Sequence, residues 1–293
     1  MITELDNGVF EQSFRRHVFV SEDGCEIACW SNGNTGAPAL ILLHGFALDH
    51  TIWAGVCADP ELLRWCHLVV PDLRGHGESG HGKRAEAYTD GAAWAADVHA
   101  VITGLSLMAP TLVAWSFGGR SALDYVRRYS TAAISGIVFV AAAAQAHYES
   151  VGPDHDVLAA LCSDQPDAVD AATTHFVTKV LEIAPGSQAE QAIRASVARS
   201  TPAERGWMRQ RPLDYDALID GLDLPVMWIN GMRDQIVLAS RTQAFCRAQP
   251  SARVSLYEGG GHAPFLAFPD RFARDLLGFL VDPPLSSRQT ATA

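Results

Sequence analysis

Three residues far apart in the chain have the types that nucleophilic acyl transfer needs. Ser116 lies in the stretch "LVAWSFGGRSAL", between an apolar run and two glycines. A serine hydroxyl is a poor nucleophile until a neighbouring base takes its proton. His262, in "EGGGHAPFLAFPDRF", offers that base from a glycine-rich loop late in the chain. An imidazole in turn needs a carboxylate to fix its tautomer and stabilise its charged form. Asp234, in "INGMRDQIV", has the right type and place. Each of the three comes just after an apolar run of strand length, in the order Ser, Asp, His, one of the orders in which such relays recur.

The segment around Ser116 nearly spells G-x-S-x-G, the sharp strand-to-helix turn that exposes a nucleophile. Ala114 stands where the first glycine would be, and Gly118 keeps the second. The turn asks for small residues where strand and helix pass closely, and one methyl in an extended strand meets that demand. The blander alternative makes Ser116 an ordinary N-cap, its side chain bonding the first helical amides. A tetrahedral intermediate also needs backbone N–H donors for its oxyanion. Phe117 follows the serine at a helix N-terminus, where free amides and the helix dipole favour negative charge. The second donor is expected from Phe46 in "LLHGFALDH", with Gly45 letting the chain turn closely. Should Asp234 not serve, a carboxylate after Val140, such as Glu149, is the other place for the acid.

These residues must be held by something. The runs Ala39–His44, His67–Asp72, Thr111–Ser116, Gly136–Ala141, Pro225–Asn230 and Arg253–Glu258 are short and continuously apolar. Strands buried on both faces read this way, because helices cover a parallel sheet above and below. Before them, Arg15–Val20 and Cys25–Ser31 flank "SEDG" and predict an antiparallel hairpin. Helical spacing follows at Trp94, Val98, Val101, Ile102 and Leu105, again at Ala122, Tyr125, Val126 and Tyr129, and near the end at Phe272, Leu276, Phe279 and Leu280. Alternating strands and helices predict an α/β fold, a doubly wound and mostly parallel sheet.

One stretch breaks the alternation. Between about Gln145 and Asp223 there is no strand pattern, only amphipathic pieces at Val157–Leu161, Phe176–Ile183 and Ala189–Ala198. A structureless connection of that length is improbable in a compact domain. The expected division is an α/β core of residues 1–144 and 224–285, a helical cap insertion of 145–223, and a disordered tail of 286–293. Phe176, Val177, Leu181, Trp207 and Met208 are candidates to line an apolar pocket, though the cap's own core is the commoner fate. Arg194, Arg199, Arg205, Arg209 and Arg211 cluster weakly in the cap; solvated faces explain them better than a substrate carboxylate does.

The chain has 293 residues, 48% hydrophobic and 19% charged, with net charge −11. That balance repels polyanions and argues against a nucleic-acid partner. The first residues carry acids and no apolar core, unlike a secretory leader, and no run approaches membrane-span length. Six cysteines without a C-x-x-C pair read as reduced, mostly buried thiols of a cytoplasmic protein, with Cys25 and Cys29 on one strand face. No histidine–carboxylate spacing builds a convincing metal site. His44, His67 and His99 are expected to be structural, His147, His155 and His175 scattered in the cap, and His76 and His81 turn or surface residues. The sequence leaves the oligomeric state open.

The motifs together resemble the α/β-hydrolase fold superfamily: "HGF" after the third strand, "PDLRGHGES" after the fourth, the "AWSFGG" elbow, "GMRD", and "GGGHAPFLAFP". The resemblance spans roughly residues 15–282 and is similar to the capped carboxylesterase branch that includes pimeloyl-ester and acyl-homoserine-lactone hydrolases. It implies Ser116 as nucleophile, His262 as base, Asp234 as acid, and Phe46 and Phe117 as oxyanion donors. It further implies a cofactor-free hydrolase of small to medium, largely apolar carboxylic esters. Alternatives on the same machinery are a lactonase, a perhydrolase or a carbon–carbon bond hydrolase. A ligand receptor that has lost turnover is the non-enzymatic one.

Overall fold

The computed structural model describes residues 2–5, 8–142, 151–249 and 251–283. The expected start of the cap, His147, Glu149, the side chain of Cys246 and the tail 286–293 lie outside the described residues. Eight strands form one sheet: β1 (Arg15–Val20), β2 (Glu26–Ser31), β3 (Ala39–Leu43), β4 (His67–Pro71), β5 (Thr111–Trp115), β6 (Gly136–Val140), β7 (Val226–Gly231) and β8 (Arg253–Tyr257). Their order is β1-β2-β4-β3-β5-β6-β7-β8. β1 and β2 pair antiparallel, β2 joins β4 antiparallel, and all pairings from β4 to β8 are parallel. Each central strand ends within about one residue of its sequence expectation, because apolar runs end where the chain leaves the core.

Burial follows from position in the sheet. Every residue of β3, β4, β5, β6 and β7 is buried, while β1, at the edge, alternates exposed and half-buried side chains. Helix Gly91–Gly104 packs on β1 and β2 and on helix Gly118–Tyr129, which lies against β3, β5 and β6. Trp228 of β7 is stacked between Phe139 of β6 and Phe245, at centroid distances of 4.4 and 4.3 Å. Such aromatic pairs add about 0.5–1.5 kcal/mol each beyond area burial. Burial pushes the thiols of Cys25, Cys29, Cys57 and Cys66 up, so they remain protonated. Cys25 precedes β2 rather than lying in it, and its Sγ turns to the Gly80 carbonyl.

The segment between β6 and β7 is helical, as its lack of strand pattern predicts. Helices Val157–Ala160, Pro166–His175, Gln188–Arg199, Pro202–Arg209 and Asp216–Asp220 are joined by one π-helical turn at Phe176–Val180. The chain's start runs beside this segment: Ile2 N–H donates to the Glu182 carbonyl and Ala184 N–H to that of Ile2. That contact had no sequence signal. Among the described residues no helix is long and apolar enough to cross a membrane.

Candidate active site

Strand β5 lies in the middle of the sheet, and the chain breaks from it at Ser116. The Ser116 N–H still bonds the Val140 carbonyl at 2.9 Å, but its φ is +51°. A residue with a β-carbon avoids that left-handed region unless its surroundings impose it. Here the imposition is close packing. A β-carbon at Gly118 would stand 2.6 Å from the Leu43 carbonyl oxygen and 2.9 Å from that of His44; at Gly119 it would stand 2.8 Å from Ala142 Cβ. Glycine thus lets helix Gly118–Tyr129 begin against the ends of β3 and β6. Ala114 pairs in register with Leu43 and Phe139, is wholly buried, and keeps negative φ. Its methyl is compatible with the turn. The residue flanking the helix is Phe117, without a side-chain cap, so Ser116 is no N-cap.

The Ser116 hydroxyl instead donates to His262 Nε2 at 3.0 Å, and His262 Nδ1–H donates to Asp234 Oδ2 at 2.9 Å. All three side chains are almost entirely buried. The second Asp234 oxygen, Oδ1, accepts the N–H groups of Ile236 and Val237 at 2.8 and 3.0 Å. Asp234 is therefore both turn former and histidine partner. The loops carrying Asp234 and His262 are stitched together. Met232 N–H donates to the Tyr257 carbonyl and Arg233 N–H to that of Gly260. A β-carbon at Gly231 would lie 2.1 Å from the Gly261 oxygen. Trp115, next to the serine, donates its indole N–H to the His262 carbonyl at 2.9 Å. Sequence reasoning passes over that role, because nothing in the elbow says what a buried indole will meet 147 residues later.

The two residues expected as oxyanion donors, Phe46 and Phe117, are neighbours in the fold. The Phe46 and Phe117 rings are tilted neighbours, 5.8 Å apart. Neither backbone N–H reaches an acceptor among the described residues. Gly45 has its space requirement from the nucleophile's neighbour, since a β-carbon there would meet the Trp115 ring at 2.9 Å.

The remaining candidates divide clearly. Phe176, Val177, Leu181 and Met208 are buried in the apolar core, and Trp207, partly buried, stacks with Tyr88. Arg194 pairs with Glu190 and Asp170, Arg205 donates to the carbonyls of Leu161, Val197 and Ser200, and Arg211 pairs with Asp124. Arg199 approaches Asp49 at 3.9 Å. Arg205 and Arg211 are buried, which corrects their reading as solvated helix faces. His81 pairs with Glu204 and is half-exposed, whereas His76 is 1% exposed and meets the turn rather than the surface alternative, its N–H bonding the Leu73 carbonyl. His67 bonds Ser31, and His175 pairs with Asp154. No three His, Cys, Asp or Glu side chains among the described residues converge as a metal site would require. Beside His262 lies a cavity of about 250 Å³, lined by Lys179, Val180, Glu182, Arg233, Gln235 and Gly261.

Comparison with known proteins agrees with this architecture. Residues 40–275 match the model of the alpha/beta hydrolase family. The chain is 28% identical over 260 residues to a pimeloyl-[acyl-carrier protein] methyl ester esterase of Xanthomonas oryzae pv. oryzae, spanning 84% of this chain and 96% of that one. Among solved structures, an esterase from Rhodococcus sp. ECU1013 is 30% identical with a TM-score of 0.83, covering 92% of this chain and 99% of its own. A Burkholderia cenocepacia protein provisionally assigned as an aryl esterase gives a TM-score of 0.85 at 27% identity, covering 91% and 98%.

Proposed function

From the premise that the chain belongs to the alpha/beta hydrolase family, we propose that it hydrolyses carboxylic esters of small, largely apolar molecules through an acyl-enzyme on Ser116. The observation that carries the reading is the unbroken relay Ser116–His262–Asp234, with the serine held in a left-handed conformation at a strand end. Esterase relatives on both the sequence and the structural side support an ester as substrate.

The chemistry follows from the donors and acceptors. His262 Nε2 takes the hydroxyl proton as Ser116 Oγ attacks the ester carbonyl. The carbonyl π electrons move onto oxygen, where the N–H groups of Phe46 and Phe117 meet the new charge. Asp234 Oδ2 keeps Nδ1–H pointed inward and stabilises the imidazolium. Collapse of the intermediate breaks the bond to the alkoxy oxygen, which leaves with the proton from Nε2. Water then attacks the acyl carbon as its proton passes to His262, and collapse breaks the bond to Ser116 Oγ, which takes that proton from Nε2 as the acid is released. Every step moves protons and an acyl group among protein, substrate and water, so the scheme calls on no cofactor. A cytoplasmic, small-molecule setting belongs to the same proposal, supported by the acidic balance and the buried thiols.

A fluorophosphonate probe tests it. The probe should label Ser116, and Ser116→Ala should lose both labelling and turnover of p-nitrophenyl esters. An adduct mapped to another residue, or an alanine variant with near-native turnover, overturns the reading. A protein that labels at Ser116 yet turns over no ester would be the ligand receptor instead.

A further inference from the structure

We propose that His76 and His44 form a reciprocal latch that aims the Phe46 N–H at the oxyanion, with His76 as a positioning residue. The inference rests on the ester-hydrolase reading above and concerns how that site is held. Two loops meet behind the site, residues 44–49 after β3 and 72–80 after β4. His44, on the first loop, accepts the Leu73 N–H of the second at Nε2, 2.9 Å away. His76, on the second, accepts the Ala47 N–H of the first at Nε2, 3.2 Å away. Each ring spends its other nitrogen on its own loop: His44 Nδ1–H donates to the Gly45 carbonyl at 2.8 Å, and His76 Nδ1–H to that of Arg74 at 2.9 Å. These partners require a neutral imidazole in one tautomer at both places. The rings meet edge to face at 5.0 Å, and both are buried.

The consequence falls on Phe46. A trans peptide is planar, with its N–H opposite its C=O. The peptide carrying the Phe46 N–H is the one whose carbonyl belongs to Gly45, and His44 holds that oxygen. The next peptide carries the Ala47 N–H, and His76 holds that. Both planes flanking Phe46 are thus fixed, and the Phe46 N–H is turned to a side where no acceptor stands among the described residues. The arrangement is held against a local preference, because Ala47 has φ +59°, a region that residues with a β-carbon disfavour. Released from His76, that residue has reason to relax and take the Phe46 peptide with it.

The second loop is firm enough to act as the anchor. The buried Asp72 carboxylate accepts the His50 N–H, His50 Nδ1–H and the Glu78 N–H. Ser79 Oγ donates to the Asp72 carbonyl and accepts the Ala28 N–H of β2. Gly77, at φ +54°, lies so close that a β-carbon would overlap the Asp72 carboxylate. The loop therefore leans on the sheet, and the oxyanion loop leans on it through the two imidazoles.

The test compares His76→Phe, His76→Gln and His76→Asn on protein whose Ser116 labelling has first been established. Phenylalanine keeps the volume and loses the acceptor. Glutamine keeps an acceptor near the Nε2 position, and asparagine is too short to reach Ala47. Kinetics with p-nitrophenyl esters should show kcat down on the order of 10–10²-fold in Phe and Asn, with KM within about threefold. That loss is smaller than for deleting an oxyanion donor outright. Gln should recover most of kcat. Affinity for a trifluoromethyl ketone, whose adduct carries the oxyanion, should fall in parallel with kcat, while affinity for a neutral ground-state analogue should not. Should Phe fail to fold, the Gln–Asn contrast carries the test. Equal kcat in Gln and Asn, or equal losses for adduct and ground-state analogue, overturns the latch. Loss of labelling at Ser116 in the wild type would instead overturn the ester-hydrolase reading.

Discussion

The loops at the carboxyl ends of β7 and β8 and the helical segment 151–223 are both attached to the same sheet, but by different physics. The acid and base loops are joined backbone to backbone, with Gly231 against the carbonyls of Gly260 and Gly261 and no room for a methyl. Beyond a backbone join at its start, where the Gly152 and Asp154 N–H groups donate to the Ile236 and Gln235 carbonyls, the helical segment is attached by buried polar side chains. Glu204 accepts from Tyr88 Oη and His81 Nδ1–H, while Asp124 of helix Gly118–Tyr129 accepts from Tyr215 Oη and pairs with Arg211. Arg211 also lies over the rings of Trp94 and Phe117, at 4.5 and 5.3 Å. Burial pushes its guanidinium down to about 10. Backbone stitching fixes geometry to fractions of an ångström; side-chain anchors let a segment be rebuilt without disturbing the chemistry below it.

The largest expected effect breaks the stitched side. Asp234→Asn keeps the turn-forming Oδ1 acceptor but presents an amide to His262 Nδ1. Turnover should fall on the order of 10⁴-fold, the loss seen when the acid of such a relay becomes an amide, with little change in thermal midpoint. Steady-state kinetics with a p-nitrophenyl ester read it. A loss of only a few-fold would mean that another carboxylate serves.

The anchored side should break differently. Asp124→Ala leaves the Arg211 guanidinium buried without its counter-ion, a change that costs about 3–5 kcal/mol. Limited proteolysis should then cut first within 151–223, and the Ser116 probe should still react with the protein at low temperature. If cleavage appears instead uniformly across the sheet, the two regions are one cooperative unit and the comparison fails.

Legibility in the sequence follows the same division. Strand ends were plain because a strand buried on both faces must be apolar throughout, as "LILL" and "LVAW" are. Ser116, Asp234 and His262 could be named because each directly follows such a run, and the structure brings them within hydrogen-bond reach. Helix Pro202–Arg209 was missed, because apolar periodicity alone passes over it; the Thr201–Glu204 capping box and Pro202 in its first turn were the signal that could have found it. The roles of Trp115, His76 and Arg211 were not legible. Each depends on which atom a buried polar group meets across the fold, and one-dimensional spacing carries no such distance. His76 sits among turn residues in "GHGESGHG", and only the approach of Ala47 separates it from His81.

A smaller effect lies in pH. Burial, then the neighbouring His44, pushes His76 down to about 3; its ordinary value is about 6.5. The folded chain keeps it neutral while the unfolded chain takes up a proton as pH falls below about 6.5. Its contribution to stability is therefore full above that pH and is lost progressively on the way down to about 3. Urea midpoints at pH 7 and pH 4.5 should differ more in the wild type than in His76→Phe. Equal differences would mean that the ring is already protonated in the fold at pH 4.5, and His44 alone would then accept across the two loops.

The smallest effect sharpens the comparison within the elbow itself. Gly118 and Ala114 are the two small positions around Ser116, and the crowding is not shared equally. A methyl at 118 would meet two backbone carbonyls, neither of which can swing aside. Gly118→Ala should therefore cost about 1–3 kcal/mol through overpacking. It should also slow labelling of Ser116, since a displacement of about 1 Å is worth on the order of 10²-fold in rate. Ala114 already carries a methyl, in an extended strand between Leu43 and Phe139. Removing it relieves no crowding and only adds backbone freedom to the unfolded chain. Ala114→Gly should then cost at most about 1 kcal/mol and leave the labelling rate within about twofold. The measurement is fluorophosphonate labelling rate beside thermal midpoint for both variants. If Ala114→Gly slowed labelling as much as Gly118→Ala, the elbow would be held from its strand side. The replacement of the first glycine by alanine would then be a functional adjustment, not a tolerated methyl.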